Sequence, residues 1–399
     1  MQPLEGIRIA DFSHVMAGPF ASHLLRLLGA EVIKVEPPGR GDPMRFYGND
    51  RRYDGMSPAF IGVNVGKKSI VLNLKKPAAL AVAQKLVKSA DVVLESFRPG
   101  VLERLGLGYD TCKALNPGVV YCSVSGYGQS GPLRDWPAID NIVQATSGMM
   151  SLSGEAGDGS MRVGFPVVDT ITGQTAAFAI LAALFRREKT GEGEYIDVAM
   201  LDASLAFMTT AVVPFLVTGR MLPRTGNTGY SGQPTTGLFT AADGRQVSMG
   251  VVQQHQFEAL ARALDREEWL QDPRYQTADL RLANTVDLKA ELAEIIKTRN
   301  AADWESSMSE ASIPCGMVRN VSESSVMPHL KQRGLKIPIS LPPGLPTPPG
   351  EGAEVLNAGF IMTSGGPGVD QGPPELGADT EAVLAMLGYS AEEIRDIMG

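Results

Sequence analysis

Asp169 stands in the stretch Gly164-Phe165-Pro166-Val167-Val168-Asp169-Thr170, ahead of an Ala- and Leu-rich run that reads as a helix from about Gly173 to Arg187. An Asp in that place ordinarily caps the helix by accepting backbone N–H bonds. It can also be a nucleophile. The two roles are compatible, because a helix N-terminus keeps a carboxylate ionised and fixed in direction. Gly-rich sequence before Asp169 and Gly173 after it leave room for a substrate to approach. Lys75, Arg98 and Arg104 fall at or near strand ends, where cations of a wound sheet meet phosphate; each also reads as solvated surface charge. Arg45, Arg51 and Arg52 share a loop with Asp50 and Asp54, so a local ion-pair network competes with recognition of a carboxylate substrate. His14 is the His at a ligand-facing turn, where it contacts a ligand or satisfies a loop carbonyl. Cys315, in Ile313-Pro314-Cys315-Gly316, has no neighbouring base and reads as a structural thiol.

The elements that must hold these residues alternate. Strands are expected over Ile7 to Phe12, Glu31 to Val35, Ser69 to Leu74, Asp91 to Leu94 and Val119 to Val124. Helices are expected over Ala17 to Leu28, Pro77 to Ser89 and Val101 to Leu115. Strands joined by crossover helices imply a parallel sheet covered on both faces. The first strand-to-helix turn, Ser13 to Pro19, holds one Gly, not the spaced three of a dinucleotide fingerprint, which disfavours NAD or FAD. Glu194 to Ala199 reads as another strand and Leu201 onward as a long apolar helix, buried rather than membrane-spanning, since Asp202 and Pro214 interrupt it. Thr225 to Gly237 is Gly-, Thr- and Ser-rich, a loop or junction, and Gly226 to Gly237 within it is the candidate lid. Gly237 to Gly250 reads as a hairpin turning at Asp243-Gly244, followed by helical patterns at Gln256 to Leu264, Thr285 to Lys297 and Ala302 to Ala311. Pro-rich sequence from Pro338 to Pro349 returns the chain along a surface, and Thr380 to Met398 is a last helix.

The chain has 399 residues, enough for two domains, with a net charge of -8 and no basic block, which argues against a nucleic-acid partner. Three scattered cysteines without a CxxC pair, and four dispersed histidines, argue against a disulfide framework or a zinc site and fit a reducing cytoplasm. No membrane association is expected.

Several segments together resemble the class III CoA-transferases, the family of formyl-CoA transferase and carnitine CoA-transferase. They are Leu4-Glu5-Gly6-Ile7-Arg8-Ile9-Ala10-Asp11-Phe12, Ala17-Gly18-Pro19, Leu28-Gly29-Ala30-Glu31-Val32-Ile33-Lys34-Val35-Glu36 and Ala90-Asp91-Val92-Val93-Leu94-Glu95-Ser96-Phe97-Arg98-Pro99-Gly100. Asn116-Pro117, Lys189-Thr190-Gly191-Glu192-Gly193, Ile313 to Gly316, and Leu376-Gly377 with Thr380 follow in the expected order. The resemblance implies an α/β fold: a large Rossmann-like domain whose parallel sheet is built from both chain ends, a smaller α+β domain, and an interlocked homodimer. The boundaries it suggests are 1–200 for the large domain, 201–224 for a linker helix, 225–330 for the small domain and 331–399 for a return segment and terminal helix. It implies that Asp169 is the catalytic carboxylate. Coenzyme A would be contacted by His14, Val15, Met16, Ala17, Leu72, Asn73, Leu74, Lys75, Ser96, Phe97, Arg98, Arg104, Ile139 and Asp140. CoA thioesters and a carboxylic acid are then substrates, succinyl-CoA and an anionic or dicarboxylic acid among them, with no permanently bound cofactor or metal.

Three departures from the family pattern matter. Pro37-Pro38 replaces an Arg that often stacks on adenine, and Ile139 replaces a Tyr commonly found before Asp140. The glycine run over the formyl-CoA transferase site has only Tyr230-Ser231-Gly232-Gln233 as a counterpart. Ile139 also bears on the 2-methylacyl-CoA racemases of the same fold, which need a proton-moving His near this position. A racemase or isomerase, or a non-catalytic acyl-CoA-binding protein, are the alternatives to a transferase.

Overall fold

The computed structural model describes residues 1–155, 157–348 and 352–398; Ala156 and Pro349 of the loops expected above lie outside the described residues. Two compact units form, one of residues 1–150, 162–220 and 328–399, the other of residues 151–161 and 221–327.

The first unit begins with β1 (Arg8–Asp11), α1 (Ala17–Leu27), β2 (Glu31–Glu36), α2 (Pro58–Asn64), β3 (Lys68–Val71), α3 (Pro77–Ser89) and β4 (Val92–Glu95). It continues with α4 (Val101–Arg104), α5 (Tyr109–Leu115), β5 (Val120–Ser125), α6 (Asp140–Thr146), α7 (Met149–Leu152), α8 (Val167–Thr190), β6 (Glu194–Ala199), α9 (Met200–Phe207) and α10 (Thr209–Thr218). The six strands form one parallel sheet in the order β3-β2-β1-β4-β5-β6. Strand residues alternate between two cores, as a pleat covered on both sides requires. Ile9, Val32, Leu94 and Cys122 face α1 and α8. Ala10, Ile33, Val93 and Tyr121 face α3 and α5.

The second unit holds the three-stranded sheet β7 (Thr236–Thr240), β8 (Gln246–Gly250) and β9 (Cys315–Met317). Its helices are α11 (Gln254–Ala263), α12 (Ala278–Ala283), α13 (Thr285–Ile296), α14 (Ala301–Glu310) and α15 (Val321–Ser325), around a core centred on Phe257, Trp269, Leu288 and Trp304. The chain then re-enters the first unit through α16 (Pro328–Gln332), the antiparallel pair β10 (Lys336–Ile339) and β11 (Ala353–Leu356), α17 (Thr380–Met386) and α18 (Ala391–Met398).

Several expectations are corrected. The parallel sheet is not built from both chain ends: all six strands precede residue 200. The C-terminal segment instead covers the open edge of β3 with side chains. Asp379 accepts the Ser69 N–H at 2.8 Å, and the Thr380 hydroxyl accepts that of Val71 at 3.1 Å. Val383, Leu384 and Ile394 then fill the core on that face. The span 101–115 is two helices, broken where Gly106 takes φ +78°. The terminal span is likewise two helices, with Gly388 at φ +81° between them. The apolar run after Leu201 is not one buried helix. It bends by 80° between α9 and α10, and no residue of α10 is buried.

Candidate active site

The sheet order reverses direction of winding at β1 and β4, and in such sheets ligands collect outside the strand carboxyl ends at that point. There the turn after β1 meets the turn after β4: the His14 N–H donates to Ser96 Oγ at 3.0 Å. A cavity of about 470 Å³ opens over the junction. Its walls include His14, Val15, Met16, Ala17, Ser96, Phe97, Arg98, Ile139, Asp140 and Asp169, so ten of the positions implied by the sequence resemblance converge.

The remaining positions do not line this cavity. Leu72 is buried in the core beside Leu74, and Asn73 turns back to accept the Lys75 N–H at 3.2 Å. Arg104 lies next door: a Cβ on Gly100 would sit 3.1 Å from Arg104 Nη1 and 3.6 Å from Arg134 Nη2, so two guanidinium groups converge beside Arg98. Arg134, Trp136, Tyr47 and Arg162 line the cavity and were missed from sequence. A signal existed for two of them, since a cation and an aromatic within ten or so residues of a parallel strand's carboxyl end face the ligand crevice.

Asp169 is the third residue of α8, not its cap. The helix starts at Val167, and the capping oxygen is Asp140 Oδ2, which accepts from Val168 N–H at 2.8 Å and Asp169 N–H at 3.1 Å. The other Asp140 oxygen accepts from Gln144 Nε2 at 2.7 Å, and Gln144 Oε1 accepts the Val163 N–H at 2.9 Å. The segment leading to Asp169 is thus held at both ends. Gly173 does not make room for substrate: a Cβ there would lie 2.7 Å from the Ala17 carbonyl oxygen, so the glycine lets α8 lie against the start of α1.

The Asp169 carboxyl is pushed up to about 7, first by burial and second by the Asp140 charge. That reverses the expectation that the helix terminus alone keeps it ionised, because desolvation disfavours the charged form more strongly. Among the described residues the His14 side chain satisfies no carbonyl. Its Nε2 is buried without a partner, its ring stands edge-on to Phe97 at 5.3 Å, and burial holds it below the ordinary histidine value. At the start of α1 no side chain caps the helix, and no acceptor among the described residues takes the N–H groups of Met16, Ala17 and Gly18.

The arginines read as candidate acid-binding groups part company. Arg45 is buried and structural, paired with Glu36 at 2.7 Å, and Arg52 pairs with Asp50 at the surface. Arg224, a fourth arginine whose charge suggests an anionic acid, hydrogen-bonds carbonyls of Ser151 and Gly159 within the second unit, where Gly226 to Gly237 also lies. Cys315 is part of β9, its thiol pushed up to about 11 by burial.

A half-buried carboxylate, helix-terminal N–H groups without an acceptor among the described residues, and guanidiniums at or beside the wall thus surround one cavity. The model of CoA-transferase family III matches residues 4–380, and the chain belongs to that family. It is therefore an enzyme of the class III CoA-transferases, whose substrates are CoA thioesters. It is 39% identical over 337 residues to the acetyl-CoA:oxalate CoA-transferase of Acetobacter aceti, covering 84% of this chain and 85% of that protein. It is 34% identical over 395 residues to the succinate–glutarate CoA-transferase of Agrobacterium fabrum, covering 96% of each. Among solved structures, a CAIB/BAIF family protein from Brucella suis superposes with a TM-score of 0.86 at 30% identity, over 97% of this chain and 99% of that one.

Proposed function

We propose that this enzyme moves coenzyme A from a donor such as succinyl-CoA to a dicarboxylic acid, with the Asp169 side chain as covalent carrier. The observation that carries the proposal is the placement of Asp169: half-buried, on the first turn of α8, in the wall of the switch-point cavity. The carboxylate attacks the donor thioester carbonyl, forming a mixed anhydride and releasing CoA thiolate. The thiolate attacks the Asp169 carbonyl, which expels the donor acid and leaves an aspartyl-CoA thioester. The acceptor carboxylate attacks that thioester, giving a second anhydride and thiolate. The thiolate then takes the acceptor acyl group and Asp169 is regenerated. Acyl activation is conserved at each exchange, so neither ATP nor a metal is consumed.

The N–H groups at the start of α1 are suited to the oxyanions. His14 Nε2 supports a ligand contact, and Arg98, Arg104 and Arg134 the CoA phosphates. Leu72 to Lys75 then border the nucleotide end. Dicarboxylates are favoured by the names of the relatives above and by Arg162 in the cavity wall.

A homodimer is part of the proposal. Phe178 and Phe185 on α8 are exposed in the single chain, and so is the consecutive apolar run Phe215, Leu216 and Val217 on α10, which supports burial of these helices against a second copy. Three free cysteines fit a cytoplasmic setting. Incubating the enzyme with succinyl-CoA and a panel of acids, and identifying thioester products by mass, tests the reading. Asp169→Ala is expected to abolish exchange with every acid, and full activity in that variant rules the mechanism out.

A further inference from the structure

Val15 holds φ +66°, a conformation that a β-branched residue avoids. What keeps it there is visible. Both oxygens of Asp42 accept its N–H, each at 3.1 Å. Asp42 is wholly buried and salt-bridged at 2.8 Å to the equally buried Lys34, whose Nζ also donates to the Ser13 carbonyl at 2.8 Å. Burial pushes the Asp42 carboxyl up, and the Lys34 ammonium together with the Met44 N–H bond more than offsets it, so the group stays charged. The turn is closed on its other side by Asp11, which accepts the Ser13 N–H at 2.9 Å, and by Ser96, which accepts that of His14. It is also crowded: a Cβ on Gly18 would fall 2.3 Å from that of Ser13. The N–H groups of residues 13 to 15 are thus consumed internally, while those of Met16 and Ala17, the next two residues, meet no acceptor among the described residues at the cavity wall.

We propose that Asp42, seated on Lys34, is a positioning residue for CoA transfer: its carboxylate holds Val15 left-handed and so aims the Met16 and Ala17 N–H groups into the active-site cavity. Neither Asp42 nor Lys34 lines the cavity, so both act through the turn. The proposal rests on the reading of that cavity as the CoA-transfer site.

A double-mutant cycle of Asp42→Asn and Val15→Gly tests it. Left-handed backbone costs an ordinary residue about ten-fold in population, whereas glycine adopts it freely. Asp42→Asn is therefore expected to lower kcat for exchange by about ten-fold or more in the wild-type background, with a smaller change in KM. In the Val15→Gly background the same substitution is expected to cost several-fold less. Melting temperature is measured alongside, because a purely structural role for Asp42 lowers it equally in both backgrounds and leaves the kcat losses equal. Equal losses overturn the proposal. Should Asp42→Asn not fold, Asp42→Glu, which retains the charge on Lys34 but displaces the oxygens, is run through the same cycle with the same criterion. The CoA dissociation constant is read for all four proteins and for Asp169→Ala. Exchange surviving in Asp169→Ala defeats the reading of the site, and the cycle remains legible in CoA affinity.

Discussion

Replacing Asp140 by Asn removes a negative charge beside Asp169 while leaving an oxygen able to accept the Val168 and Asp169 N–H groups. The wild-type Asp169 carboxyl is held up to about 7, so it is increasingly protonated, and unable to attack, as the pH falls below that value. A single titration there lowers kcat/KM about fifty-fold between pH 7 and pH 5. Burial is the larger cause of the displacement and persists in Asp140→Asn; the like charge is the smaller and is lost. The acidic limb of the variant is expected to move down by roughly one pH unit, the ordinary size for one nearby charge. The fall between pH 7 and pH 5 then shrinks to about ten-fold. The assay is kcat/KM for acyl exchange from pH 5 to 8, wild type and variant side by side. Phosphates of CoA titrate alike with both enzymes, so the displacement between the profiles belongs to the protein. A wild-type limb near pH 4, or two limbs that coincide, would refute the coupling of these carboxyls.

Three further outcomes are expected. Gly173→Val forces a branched side chain against the Ala17 carbonyl oxygen and lowers the unfolding free energy by about 2 kcal/mol, measured by denaturant melts; an unchanged midpoint contradicts the close packing of α1 on α8. Arg104→Ala and Arg134→Ala raise KM for acyl-CoA several-fold but not KM for the matching acyl-pantetheine, which lacks the phosphates; equal effects on both substrates place the arginines elsewhere. Leu216→Asp puts a charge into the exposed apolar face of α10 and is expected to convert a dimer to monomers by light scattering, whereas an unaltered mass removes that face from the interface.

Much of the fold was legible because its signals are local. Pro77 starts α3 and Gly29, at φ +103°, follows the end of α1, and Val92 to Leu94 of β4 is an apolar run fit for a buried parallel sheet. What was not legible depends on distant partners. Nothing near Asp169 says that its helix begins at Val167, because the cap comes from Asp140, twenty-nine positions earlier. Arg45 looks available until Glu36, at the end of β2, is seen to hold it in the core. The resemblance implied a sheet built from both chain ends, but the C-terminal segment gives the edge of β3 its acceptors as the side chains of Asp379 and Thr380. Asp42 carried no sequence signal at all, since its importance lies in the backbone angle of Val15.

The covalent claim is tested most directly by quenching the enzyme during turnover with succinyl-CoA, treating it with borohydride or hydroxylamine, and mapping the modified peptide by mass spectrometry. The expected result is a donor-dependent change at Asp169 and at no other carboxylate. Modification confined to a different residue, or none in enzyme caught turning over, would contradict it.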